Sequence, residues 1–148
     1  MPSNIDTEQK MRVNNNITKS VADDGLIART SITFDAGDDL TTEKLSSAIS
    51  LLSVELNQDN EIRLQVDKPT EDTAEDMTVN IYEESKVDGT NARYCLVATF
   101  VVEKIAGTGT YKSINFSGIG YGTGNIKIGA SFAVDSGAIT PYFALYRK

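Results

Sequence analysis

The chain has 148 residues, with no histidine, no tryptophan and a single cysteine, Cys95. Without histidine there is no Ser–His or Cys–His pair, no imidazole metal ligand and no side chain that ordinarily titrates near neutral pH. Pairs of carboxylates remain as a route to catalysis, but spacing along the chain does not single out any pair. One cysteine excludes an intrachain disulfide framework and a multi-cysteine metal site. No run of eighteen apolar residues occurs, so no transmembrane helix is expected. The opening stretch, MPSNIDTEQKMRVNNNITKS, lacks the apolar core of a secretory signal. The expectation is a protein made in a cytoplasm, without an enzyme's machinery, cofactor or metal.

Positive charge is also scarce. Fourteen Lys and Arg stand against 21 Asp and Glu, a net charge of −7. That balance argues against a dedicated nucleic-acid binder, which needs a basic footprint. The deficit is uneven. Residues 1–103 hold nine basic side chains against twenty acidic ones, whereas residues 104–148 hold five against Asp135 alone. Complementary patches of this kind can pair between subunits.

Residues 1–24 show no sustained apolar period and read as an extended N-terminal arm. Their scattered apolar groups, Ile5, Met11, Val13, Ile17 and Val21, are too few to build a core layer. They are the candidate partner-binding residues, each suited to fill a groove on a neighbouring subunit.

From residue 25 to 148 the dominant period is two, the signature of half-buried strands. In LIARTSITFD, residues Leu26, Ala28, Ile32 and Phe34 share one face. Val54 and Leu56, then Ile62, Leu64 and Val66, alternate with polar neighbours and predict a hairpin. Met77, Val79 and Ile81 mark another inward face. Asp88-Gly89 signals a turn into a long strand, RYCLVATFVV, apolar on both faces and so predicted to be central, with Cys95 in the core. Leu45, Ala48, Ile49 and Leu52 fall at helical intervals, and a short helix or turn is predicted at about 41–50 despite its serines.

Six glycines crowd residues 107–125, GTGTYKSINFSGIGYGTGN. A phosphate-cradling loop needs a helix after it. Here NIKIGASFAVD follows, alternating strictly through Ile126, Ile128, Ala130, Phe132 and Val134, so the glycines read as turns between strands. DSGA at 135–138 is a further turn, and Pro141 predicts that the last strand is an edge or bulged there. About eight strands with turns every 8 to 15 residues predict an all-β domain, an antiparallel β-sandwich or jelly roll, with a small barrel as the remaining possibility.

Candidate sites are few. The acidic runs DAGDD (35–39) and TEDTAED (70–76) supply oxygen ligands but miss the EF-hand spacing, and they read as solvated loops. Tyr111, Tyr121, Tyr142 and Tyr146 cluster late in the chain, fit for sugar stacking, for a partner surface or for partial burial in a sandwich.

The whole pattern resembles the small jelly-roll virion proteins of tailed bacteriophages, in particular capsid decoration or cement proteins. The polar arm, the strands rich in Ser, Thr, Asn and Gly, the missing His and Trp, and the ending NIKIGASFAV then ITPYFALYRK carry the resemblance. It implies a homo-oligomer, commonly a trimer, that sits on the major capsid protein at the virion surface and stabilises the head. A tail-fibre, receptor-binding or carbohydrate-binding β-sandwich domain is the alternative.

Overall fold

The computed structural model describes residues 25–51, 62–68, 75–104, 110–116, 123–135 and 137–147. The arm, with Ile5, Met11, Val13, Ile17 and Val21, lies outside them, as do Tyr121 and the predicted strand at 54–57. The described part is all-β. Its strands are β1 (Leu26–Ser31), β2 (Lys44–Leu45), β3 (Ile49–Ser50), β4 (Ile62–Lys68), β5 (Met77–Ser85), β6 (Arg93–Val102), β7 (Thr110–Phe116), β8 (Asn125–Phe132) and β9 (Tyr142–Arg147). They form two antiparallel sheets, one in the order β1-β9-β4-β7 and one in the order β2-β8-β5-β6, with β3 also on β8.

The period-two pattern places the core between the sheets. Leu64, Val66, Phe143 and Leu145 of the first sheet meet Met77, Val79, Ile81, Ile126, Ile128 and Phe132 of the second in one buried cluster. Each such side chain contributes about 1.5–3 kcal/mol on burial. Phe34, after β1, packs edge-on against Phe132 with ring centroids 5.4 Å apart and 83° between planes. Lys44 Nζ lies 5.6 Å from the centroid of the Phe34 ring and bonds Asp38 Oδ2 at 2.6 Å and the Thr33 carbonyl at 2.8 Å.

Four expectations are corrected. Residues 41–50 form no helix: a turn at Leu40–Thr41 leads into β2 and β3, both on β8. Serine explains this. Ser46 donates its N–H to the Ile128 carbonyl (2.7 Å) and accepts the Ile128 N–H on its hydroxyl (3.0 Å), so backbone and side chain together bridge the gap between the two short strands. Among the described strands β6 is an edge, not central, and Leu96 and Val101 stay 57% and 43% exposed. A bulge divides its apolar residues between the two faces: the register steps from Ile81↔Ala98 to Tyr82↔Leu96, leaving Val97 as the extra residue. Ala98, Phe100 and Val102 therefore stand opposite the inward Ile81, Val79 and Met77, while Tyr94 and Leu96 stand opposite Glu84 and Tyr82. Cys95, near the same strand end, is exposed rather than in the core. Finally, β9 is internal, between β1 and β4. Pro141 is tolerated because it precedes the strand, where its carbonyl accepts the Ile32 N–H at 3.2 Å and no donor is needed.

The turn at Asp88-Gly89 is as expected. Gly89 has φ +80°, and Asp88 Oδ1 accepts the N–H groups of Thr90 and Asn91 at 2.9 and 2.7 Å. After Gly124 comes β8, a strand, so the helix that a phosphate loop requires is not there.

Candidate functional site

Two outer faces offer themselves. On the five-stranded sheet the polar side chains satisfy one another. Thr99 donates to Asn80 Oδ1 (2.8 Å), Asn80 Nδ2 donates to Glu43 Oε2 (2.5 Å), and the Tyr82 hydroxyl donates to the Glu43 carboxylate (2.7 Å). Burial first, and the Glu43 carboxylate second, push the Tyr82 hydroxyl above its ordinary pKa. Glu43 reaches these partners only because Gly129 lies beneath it: a Cβ there would stand 2.6 Å from Glu43 Oε2 and 2.7 Å from its Cδ. Gly129→Ala should thus displace Glu43 and cost about 1–2 kcal/mol. In chemical denaturation the pair Gly129→Ala, Glu43→Ala should cost no more than Glu43→Ala alone. An additive pair would mean that the cost lies elsewhere.

The same face carries Glu84, whose Oε1 accepts from the Thr123 hydroxyl (2.6 Å) and from Asn125 Nδ2 (3.3 Å). These bonds, foremost that of Thr123, hold its carboxyl below the ordinary 4.5. A depressed folded-state value means that the unfolded chain binds more protons in that window. The contribution of Glu84 is therefore present above pH 4.5 and fades as pH falls through the lowered value. The melting temperature of Glu84→Gln should lie below that of wild type at neutral pH and converge on it in acid. A constant gap at all pH values would contradict this. Lys127 Nζ sits 4.6 Å from the Tyr94 ring centroid, so the polar groups named on this face pair with one another.

The four-stranded sheet is different. Register aligns Arg29 with Ala144, Ala144 with Gln65, and Gln65 with Ser113, one outward row across all four strands. Ala144 and Ser113 are small, so the row is a trough. In the next row Tyr142, 53% exposed, stands on β9 opposite Asp67 and Ser31. On the other side, Tyr146 stands opposite Arg63, whose Nε donates to Asn115 Oδ1 at 3.2 Å. The result is a groove of about 440 Å³ lined by Arg29, Gln65, Lys112, Ser113, Tyr142 and Ala144 among others. That volume is within the range of ligand clefts. Three strand spacings of about 4.8 Å give it a length of roughly 14 Å.

Of the late tyrosines, Tyr111, Tyr142 and Tyr146 lie on strands of this sheet, and Tyr142 is half-exposed. The trough itself was not legible, because it depends on which residues register brings side by side. The acidic loop DAGDD turns out to be turn chemistry. Asp38 is held by Lys44 and by the Asp35 N–H, and Asp39 by Thr41. Those bonds lower both carboxyls, Lys44 foremost at Asp38 and Thr41 at Asp39. Among the described residues no group of three or more potential metal ligands comes together. Of TEDTAED only Glu75 and Asp76 are described, both bonded to Lys104.

Fold and groove define a two-sheet β-sandwich domain with a cleft across one outer face. No known protein family and no curated protein matches the chain. Among solved structures it is similar to a carbohydrate-binding module of family CBM28, described as specific for non-crystalline cellulose. The TM-score is 0.51 at 12% identity, over 77% of this chain and 69% of that one. A family 16 carbohydrate-binding module aligns over 84% of this chain and 70% of its own at 13% identity, with a TM-score of 0.32. At 12% identity the first likeness is one of fold.

Proposed function

We propose that the protein is a non-enzymatic carbohydrate-binding β-sandwich domain that takes a stretch of glycan chain into the groove of the four-stranded sheet. The observation that carries this reading is the trough of Ala144 and Ser113 running beside the half-exposed ring of Tyr142. A flat apolar ring with a polar tip suits the face of a sugar. Gln65 and Ser113 supply donors and acceptors of the kind that hydroxyl groups need. The CBM28 likeness agrees with the reading at the level of fold. Binding in such a groove needs no general base, which suits a chain without histidine.

A virion role, as a capsid-decorating trimer on a major capsid protein, is a separate proposal that rests on the sequence pattern and on residues 1–24. A receptor-binding domain of a tail fibre would unite glycan binding with the phage resemblance. A broad glycan array followed by calorimetry tests the binding reading. Saturable binding to at least one glycan class is expected. No binding to any class would leave the groove without a ligand and overturn it.

A further inference from the structure

The groove crosses the strands rather than following them. Its lining draws on all four strands of the sheet, from Arg29 on β1 through Ala144 on β9 and Gln65 on β4 to Ser113 on β7. In the adjoining row Phe143 pairs with Val66, and both side chains are buried, so their backbone is what they contribute to the floor. The row ends on exposed residues of two edge strands. Among the described strands β1 pairs only with β9 and β7 only with β4, and both Arg29 and Ser113 are exposed. Among the described residues the lining takes nothing from outside these four strands, so no loop walls either end. A pocket built for the terminal sugar of a glycan would surround one ring and stop. This groove runs from one edge of the sheet to the other.

We infer that the ligand is the interior of a long, unbranched polysaccharide, held across the strands over about three sugar units, the run of pyranose rings that fits roughly three strand spacings. The inference rests on the carbohydrate-binding reading and adds the ligand class to it: inner segments of linear chains, not the terminal sugars of branched glycans. The lining divides the work along the chain. Tyr142 on β9 offers one sugar a ring to stack on, and Gln65 on β4 and Ser113 on β7 offer the next sugars donors and acceptors for their hydroxyls. A single sugar covers only part of this row, yet it bears the whole loss of translational and rotational freedom on binding. Each further sugar within the row adds contacts without repeating that loss, and a sugar beyond β1 or β7 meets no lining residue.

Calorimetry with cello-, xylo-, manno- and laminari-oligosaccharides, each from the single sugar to the hexasaccharide, tests this. In the series that binds, affinity should rise about tenfold with each sugar up to the trisaccharide and no more than about twofold beyond it. Reducing the terminal sugar of the hexasaccharide to its alditol should leave its affinity unchanged. Ser113→Ile, which fills the trough at β7 with a branched side chain suited to a strand, should bring the trisaccharide down to about the affinity of the disaccharide. Its melting temperature verifies that it folds. Full affinity already in the single sugar or the disaccharide would overturn the inference and leave the groove reading intact. So would a steady rise to the hexasaccharide, or trisaccharide binding unmoved by Ser113→Ile. Capture on an array of branched glycans through their terminal sugars, with no oligosaccharide of the four series bound, would also overturn it. Binding of no glycan in either assay would overturn the carbohydrate-binding reading together with it.

Discussion

Tyr142→Ala should weaken glycan binding about ten- to hundredfold while leaving the melting temperature within a degree or two of wild type. The ring is 53% exposed at the start of an internal strand, so its removal opens no cavity in the core. What is lost is the apolar face against which a sugar would stack, worth about 1.5–3 kcal/mol when covered. That energy converts to the stated range of affinity. Tyr142→Phe separates the ring from its hydroxyl and should keep most of the binding. Calorimetry against the best array ligand reads both. Unchanged affinity in Tyr142→Ala would remove the ring from the site.

Phe34→Ala should do the reverse. Phe34 is 1% exposed, and it packs edge-on against Phe132 beneath the Lys44 ammonium. Truncating a buried phenylalanine costs about 3–5 kcal/mol, a large share of the roughly 5–15 kcal/mol available to a small domain. For a chain of this size that is a fall of roughly 10–20 °C in melting temperature. Phe34 also anchors an isolated bridge to Ile139, with N–H···O bonds of 2.9 and 3.0 Å in both directions. The segment leading to Pro141 and β9 should loosen with it. Scanning calorimetry gives the shift, and a fall of only a few degrees would mean that this end of the sandwich contributes little.

Much of the fold could be read from alternation. Met77, Val79 and Ile81, then Ile126, Ile128, Ala130 and Phe132, are all buried as the period of two requires. The strand nature of 125–132 alone disposed of the phosphate-loop reading. The errors have local causes. The Val97 bulge shifts the register halfway along β6, so a strand apolar on both faces looked central although it lies at an edge. Spacing at Leu45, Ala48 and Ile49 imitated a helix, because two short strands separated by the three residues 46–48 happen to repeat at that interval. The site was half visible. A late tyrosine cluster was in the sequence. That Arg29 from the first strand and Gln65 from the fourth would flank Ala144 depends on long-range pairing, which local pattern does not encode.

The central claim is that the groove of the four-stranded sheet is the glycan site. Amide chemical-shift mapping during titration with the best-binding oligosaccharide tests it most directly. The expected result is a set of perturbations on residues 29–31, 64–66, 112–114 and 142–144, one patch across four strands, with Tyr82, Tyr94 and Leu96 unmoved. Perturbations confined to the outer face of β5 and β6, with the groove residues silent, would contradict it.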